Sequence, residues 1–262
     1  MTEELAGKVA VITGGSRGIG AAVAGRLAAE GADCLLAART VDDLSATAES
    51  IGQATGRRIE TCAVDLRSLE GCEQLAAAVD EHFGRVDILV NNAGATQGGP
   101  FLEVSDETWV DGFALKFWAA VRLSRLLWPQ LKEAKGTVVN IVGGFARTPA
   151  PDFLIGGSVN AALANFSKGL AGLGLRDDVN VNTVHPGQTV TSRLDEIFVN
   201  RAAQAGVTPE EFKQGIIDRQ GLRRLGEPDD VANVVAFLCL PASRHIQGVA
   251  VAVDGGGTAG LF

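Results

Sequence analysis

Thr13-Gly14-Gly15-Ser16-Arg17-Gly18-Ile19-Gly20 decides how the rest of the chain is read. It follows Val9-Ala10-Val11-Ile12, a short β-branched apolar run closed by glycine, which predicts a buried parallel strand. Residues 21–30 then carry small and apolar side chains at helical spacing and stop at Gly31. The order is strand, glycine turn, helix. A turn this tight needs backbone without Cβ atoms, both to take up positive φ and to let a pyrophosphate approach the main chain. The free N–H groups at the start of the following helix would hold the phosphates, where the helix dipole favours negative charge. A glycine loop with no ligand is the alternative, and the flanking strand and helix argue for the nucleotide.

Outward from this stretch the two periodicities alternate to the end of the chain. Strands are expected at 33–38, 58–64, 87–90, 136–142, 180–184 and 249–253. Helices are expected at 42–55, 69–83, 105–131, 158–175 and 229–240, with a helical excursion at 192–204 and 209–220. Such alternation implies right-handed crossovers and a doubly wound parallel sheet of about seven strands, covered by helices on both faces. Ligands of such sheets bind outside the carboxyl ends of the strands. The 262 residues suffice for one large α/β domain, and no linker-like shift in composition divides them, so residues 1–262 are expected to form a single domain.

Charge and composition exclude several functions. A net charge of −8 argues against a nucleic-acid groove, which needs clustered Lys and Arg. No apolar run reaches membrane-spanning length, and the start Met1-Thr2-Glu3-Glu4 is acidic where a signal peptide would be basic, so a cytoplasmic protein is expected. Cys34, Cys62, Cys72 and Cys239 show no Cys-x-x-Cys spacing, and His82, His185 and His245 lie far apart. Reduced thiols and no metal site are the expectation.

Further motifs fall at the strand ends: Asp65-Leu66, Asn91-Asn92-Ala93-Gly94, His185-Pro186-Gly187, Arg224-Leu225-Gly226-Glu227-Pro228 and Asp254-Gly255-Gly256. In this order the chain resembles the short-chain dehydrogenase/reductase family from about residue 8 to residue 256, an oxidoreductase family with a Rossmann fold. The resemblance implies a nicotinamide dinucleotide. Gly14, Ser16, Arg17, Gly18, Ile19 and Gly20 would hold its phosphates. Asp65 and Leu66 would meet the adenine, Asn91, Ala93 and Gly94 the ribose and phosphate side, and Pro186, Gly187, Thr189 and Thr191 the nicotinamide end. As ligand-free alternatives, Asp65 caps a turn, Asn91 acts as a clamp and Pro186-Gly187 is a plain turn. The excursion at 189–222 would cover the substrate, and its Phe198, Phe212, Ile216 and Ile217 suggest a partly apolar pocket. Phe117, Val121, Trp128, Phe166 and Leu170 exceed what one sheet covers; an ordinary core face is one reading, and the resemblance implies the other, helix contacts in a homodimer or homotetramer.

The second strand ends Leu36-Ala37-Ala38-Arg39-Thr40, with Ala38 where an acidic residue would chelate the ribose hydroxyls of NAD. Arg39 and Arg17 supply two guanidinium groups for a 2′-phosphate, so NADP(H) is expected over NAD(H).

The family's hydride chemistry uses a Ser, a Tyr, a Lys four residues after that Tyr, and an Asn on the fourth helix. This chain contains no Tyr. Alignment on the fifth strand puts Gly144, or its neighbour Gly143, at the Ser position. The next helix puts Gly156 at the Tyr position and Asn160 at the Lys position, and the fourth helix puts Lys116 at the Asn position. Asn and Lys thus stand exchanged. Lys116 is spaced with Trp109, Phe113 and Ala120 on one stripe of that helix, so its stem is expected among packed side chains. Lys116, Asn160 and Ser158 are the catalytic candidates, and Asn160, at the Lys position, is also a candidate cofactor contact. Three functions stay open: an oxidoreductase with a substitute proton donor, a non-redox lyase or hydrolase on the same scaffold, and an NADP(H)-binding protein without chemistry.

Overall fold

The structure is a computed structural model that describes residues 3–258, the side chain of Arg193 excepted. Seven parallel strands form one sheet in the order β3-β2-β1-β4-β5-β6-β7. They are β1 Val9–Thr13, β2 Asp33–Ala38, β3 Ile59–Ala63, β4 Ile88–Asn91, β5 Thr137–Ile141, β6 Asn180–Pro186 and β7 Ala250–Val253. The order reverses between β1 and β4, so a crevice opens at the carboxyl ends of these two strands.

Alternation along β1 sorts the core into two layers. Ala10 and Ile12 face a layer with Val23 and Leu27 of α1 (Gly18–Ala29), Leu44 and Ile51 of α2 (Val41–Thr55) and Val231 and Val235 of α9 (Pro228–Cys239). Val11 faces the opposite layer, with Leu75 and Val79 of α3 (Leu69–His82), Leu123 and Leu127 of α5 (Ala119–Ala134) and Ala171 of α6 (Leu154–Asp177). A strand buried on both faces has no polar side to alternate with, which is why β1 reads as a continuous apolar run. The remaining helices are α4 (Asp106–Phe113), α7 (Ser192–Ala205) and α8 (Pro209–Gln220). Thr208 and Glu211 close a capping box on α8, with Pro209 in its first turn.

Two helices differ from expectation where they meet. The helix expected at 105–131 is interrupted by a π turn over Ala114–Trp118, with Lys116 at its centre. A π turn bonds residues five apart, so the stripe of Trp109, Phe113, Lys116 and Ala120 is not continuous across it. The helix expected from 158 begins at Leu154, which places Gly156 inside it. The two come close at Gly112, where an added Cβ would lie 2.5 Å from Ile155 Cγ2.

The apolar residues of the excursion pack on one another. Phe198, Ile216 and Leu225 form a separate small core, with the partly buried Phe212 and Ile217 packed against it. Phe117 of the π turn and Phe166 of α6 likewise meet edge to face at 6.1 Å, and the Trp128 indole donates to Asp177 at 2.8 Å. Part of the face expected to bind a second copy is therefore internal. Among the described residues no helix is long and apolar enough to cross a membrane.

Candidate active site

The glycine turn is held from three sides. Gly14 donates its amide to Ala37 of β2 at 2.7 Å, and Thr47 of α2 donates to the Ser16 carbonyl at 2.7 Å. The Asn92 amide donates to the carbonyls of Thr13 and Gly14 at 2.9 and 3.2 Å, while Thr13 Oγ1 accepts from the Asn92 and Ala93 amides. Here lack of a Cβ is obligatory: one at Gly20 would stand 2.1 Å from the Gly14 carbonyl oxygen, so helix and turn can approach this closely only as glycines. Gly14 and Gly18 take φ of +65° and +56°. Across the turn, a Cβ at Gly18 would lie 3.2 Å from Thr191 Cγ2, which brings the start of α7 against the glycine turn.

Arg17 and Arg39 are exposed beside this cradle, and among the described residues neither forms an ion pair. The pairing of Thr13 with Ala37 sets the ends of β1 and β2 side by side. Asp65 accepts from the Arg67 amide at 3.0 Å, capping its own turn, and is half exposed. Leu66 is buried in the core, which leaves its backbone as the part that faces the crevice edge.

Asn91 is engaged within the sheet. Its side chain is 5% exposed and donates to Asn140 at 2.8 Å, and Asn140 in turn donates to Ser167. It clamps β4 to β5 and α6, and the neighbouring Asn92 is the residue that braces the glycine turn.

At the ends of β5 and β6 the structure brings together Lys116, Asn160 and Gly143. The Lys116 stem lies over Gly94, where an added Cβ would be 3.1 Å from Lys116 Cδ, and its ammonium donates to the Val142 carbonyl. Asn160 is 5% exposed and packs on the next residue, with Nδ2 3.1 Å from the position of a Cβ at Gly143. Its Oδ1 is buried without a hydrogen-bond partner. Lys116 and Asn160 thus approach consecutive residues, Val142 and Gly143. Of the two glycines at the expected Ser position, Gly143 faces Asn160, and Gly144 faces Thr258. Ser158 is not part of this group: it is exposed, two residues from both Gly156 and Asn160 and so on another side of α6.

His185 lies one residue before the end of β6, 2% exposed, with Nε2 3.0 Å from Thr183 Oγ1. Burial, with the charges of Arg147 and Lys116, pushes its pKa down to about 4. The imidazole is neutral at physiological pH. Pro186 closes the strand, Gly187 packs on Asp254, Thr189 is buried and bonds the Gly187 carbonyl, and Thr191 caps α7. The thiols of Cys34 and Cys239 are pushed up to about 12 by burial, and all four cysteines are free. Among the described residues no three His, Cys, Asp or Glu side chains group to hold a metal.

A glycine cradle at the switch point of a doubly wound sheet, with polar side chains converging beyond it, defines a dinucleotide-binding α/β protein. The chain belongs to the short-chain dehydrogenase family of oxidoreductases: the family's model matches residues 8–202. An uncharacterised oxidoreductase of Mycobacterium tuberculosis is 40% identical over 251 residues, which cover 95% of this chain and 91% of the relative. A tropinone reductase homologue of Arabidopsis thaliana is 32% identical, over 98% of this chain and 95% of its own. L-sorbose reductase of Gluconobacter frateurii, solved with NADPH and L-sorbose, superposes with a TM-score of 0.96 at 35% identity over 100% of both chains.

Sequence reasoning missed three participants. Asn92 was visible inside the Asn91-Asn92-Ala93-Gly94 motif, but which of two adjacent amides braces the turn depends on the strand's facing. His185 sat in its motif without a stated role. Phe153 gave no signal at all.

Proposed function

We propose that the protein is an NADP(H)-dependent oxidoreductase acting on a carbonyl or alcohol, in an active site rebuilt around Lys116 and Asn160. The observation that carries this reading is the Lys116 ammonium at the end of β5, delivered there by the π turn and next to the residue that Asn160 contacts. The glycine cradle is the test of fit for the cofactor: a Cβ at Gly20 would close it, and the exposed Arg17 and Arg39 suit a 2′-phosphate. Gly14, Ser16, Arg17, Gly18, Ile19 and Gly20 would hold the phosphates. Arg39 would hold the 2′-phosphate, Asp65 and Leu66 the adenine side, Ala93, Gly94 and the backbone of Asn91 the ribose side, and Pro186, Gly187, Thr189 and Thr191 the nicotinamide side. The NADPH-bound sugar reductase of the same fold supports the cofactor choice.

The bound nucleotide would supply the hydride. The chain's own residues supply charge and position. With Gly143 or Gly144, Gly156, Asn160 and Lys116 at the four positions of the family's tetrad, no side-chain hydroxyl stands at the Tyr position. Lys116 carries the positive charge that stabilises negative charge developing on the substrate oxygen. Asn160, whose Oδ1 has no partner, accepts a hydrogen bond from the ligand or from water. A homo-oligomer fits the exposed Trp118, Leu175 and Phe237 on α5's entry, α6 and α9.

The absence of any Tyr favours a second reading, a protein that binds NADP(H) and does no chemistry. One experiment separates the two: NADPH oxidation followed by absorbance over a panel of carbonyl compounds, for the parent and Lys116→Met. The oxidoreductase reading expects turnover in the parent and a loss of at least tenfold, about 1.4 kcal/mol, in the variant with little change in melting temperature. Parent and variant that bind NADPH alike and turn over nothing would establish the binding protein.

A further inference from the structure

Phe153 fills the centre of the rebuilt region. It immediately precedes α6, and its ring turns back over that helix: a Cβ at Gly156 would lie 1.9 Å from Phe153 Cε1 and 2.2 Å from Cζ. The same ring approaches the segment after β4, where a Cβ at Gly98 would be 3.2 Å from Phe153 Cδ2. On the β5 side it stacks on Phe145 with centroids 4.9 Å apart and planes tilted by 54°. Three elements that end at the crevice therefore hold one aromatic ring, in the space that any side chain at position 156 would need.

Between the 97–99 segment and the start of α6 lies a cavity of about 10 Å³, lined by residues 97–99 with Phe101, Val104, Trp109, Leu154 and Ile155. That is at the threshold for holding one water molecule. The Phe153 ring itself occupies the space over Gly156. Only glycine at 156 permits this, since even alanine would overlap the ring. Phe153 itself is half-buried, with the rest of its surface accessible beside Phe145.

We infer that Phe153 is the specificity-determining residue that sets the size of the substrate pocket, limiting it to compounds without a bulky group on this side and presenting them with an apolar aromatic wall. This rests on the reading of the crevice as a substrate site, and the test keeps the two apart. In Phe153→Ala the space left by the ring is an apolar recess beside Phe145 and Gly156, open on the side where Phe153 meets solvent. Titration with benzene should show binding to Phe153→Ala at least tenfold tighter than to the parent, while NADPH affinity stays within about twofold. A variant that binds benzene no better than the parent would overturn the inference.

Melting temperature gives the second measurement. Gly156→Ala should lower it by about 5 °C in the parent and by less than half as much in a Phe153→Leu or Phe153→Ala background. Equal losses in both backgrounds would mean that the ring does not own this space. If NADPH bound to neither parent nor variant, the cofactor assignment would fall, and Phe153 would still be judged by the benzene titration and the melting cycle.

Discussion

At the ends of β1 and β4, Gly14 and Gly20 stand where other atoms already are, and a Cβ at Gly20 would meet a backbone oxygen at 2.1 Å. At the end of β5 and in α6, Gly143 and Gly156 stand against side chains, Asn160 and the Phe153 ring. The first pair keeps backbone close to backbone so that a ligand can approach. In the second pair the missing side chain leaves room that a neighbour has taken. One residue type thus serves two different ends, and under the proposed function these mark a preserved half of the crevice and a rebuilt half.

The preserved half is broken most severely by Gly20→Ala. The overlap is with backbone, which cannot swing aside, so NADPH affinity measured by titration should fall more than 100-fold, about 3 kcal/mol. A loss under threefold would mean that the turn yields, and would remove the case for a rigid cradle.

His185 sharpens the rebuilt half through pH. Its pKa is about 4 in the fold against an ordinary value near 6.5, so the unfolded chain takes up a proton that the folded one refuses. Stability should therefore rise with pH between 4 and 6.5 and level off above. From pH 7 to pH 5 this one group removes about 2 kcal/mol, read as a difference between the parent and His185→Gln in denaturant titrations. The same pH slope in both proteins would contradict a buried neutral imidazole. Lys116→Met, at about tenfold in turnover, follows in size.

The smallest expected effect is the most diagnostic of rebuilding. Gly156→Tyr with Asn160→Lys restores the family's two side chains by type, yet a Tyr at 156 collides with Phe153 and the new ammonium faces that of Lys116, where like charges disfavour protonation. The double variant should show no gain in carbonyl reduction over the parent. Strong activity would mean that only two residues were missing.

The sheet was legible because period-two and period-3.6 patterns alternate cleanly, and the glycine turn because its backbone demands are written in residue type. The excursion's two helices were likewise expected at 192–204 and 209–220, and the structure closes them at Gly206 and Gly221. What stayed hidden depends on contacts between elements. The π turn at Ala114–Trp118 has no spacing signal, yet it breaks the stripe on which Lys116 was counted. Phe198 and Ile216 are apolar residues in a lid, and whether they line a pocket or pack on each other is decided only by how α7 meets α8. Asn91 and Asn92 are adjacent amides on opposite faces of a strand end, and Phe153 lies just outside the helix over which its ring folds back.

The central claim, that the preserved half holds a nucleotide with a 2′-phosphate, is tested most directly by titrating parent and Arg39→Ala with NADPH and with NADH. The parent should bind NADPH more tightly, and Arg39→Ala should shrink the ratio of the two affinities by at least tenfold, since a charge-assisted phosphate contact contributes about 1.5–3 kcal/mol. A ratio unchanged by the substitution, tighter NADH binding by the parent, or no binding of either nucleotide would contradict the account.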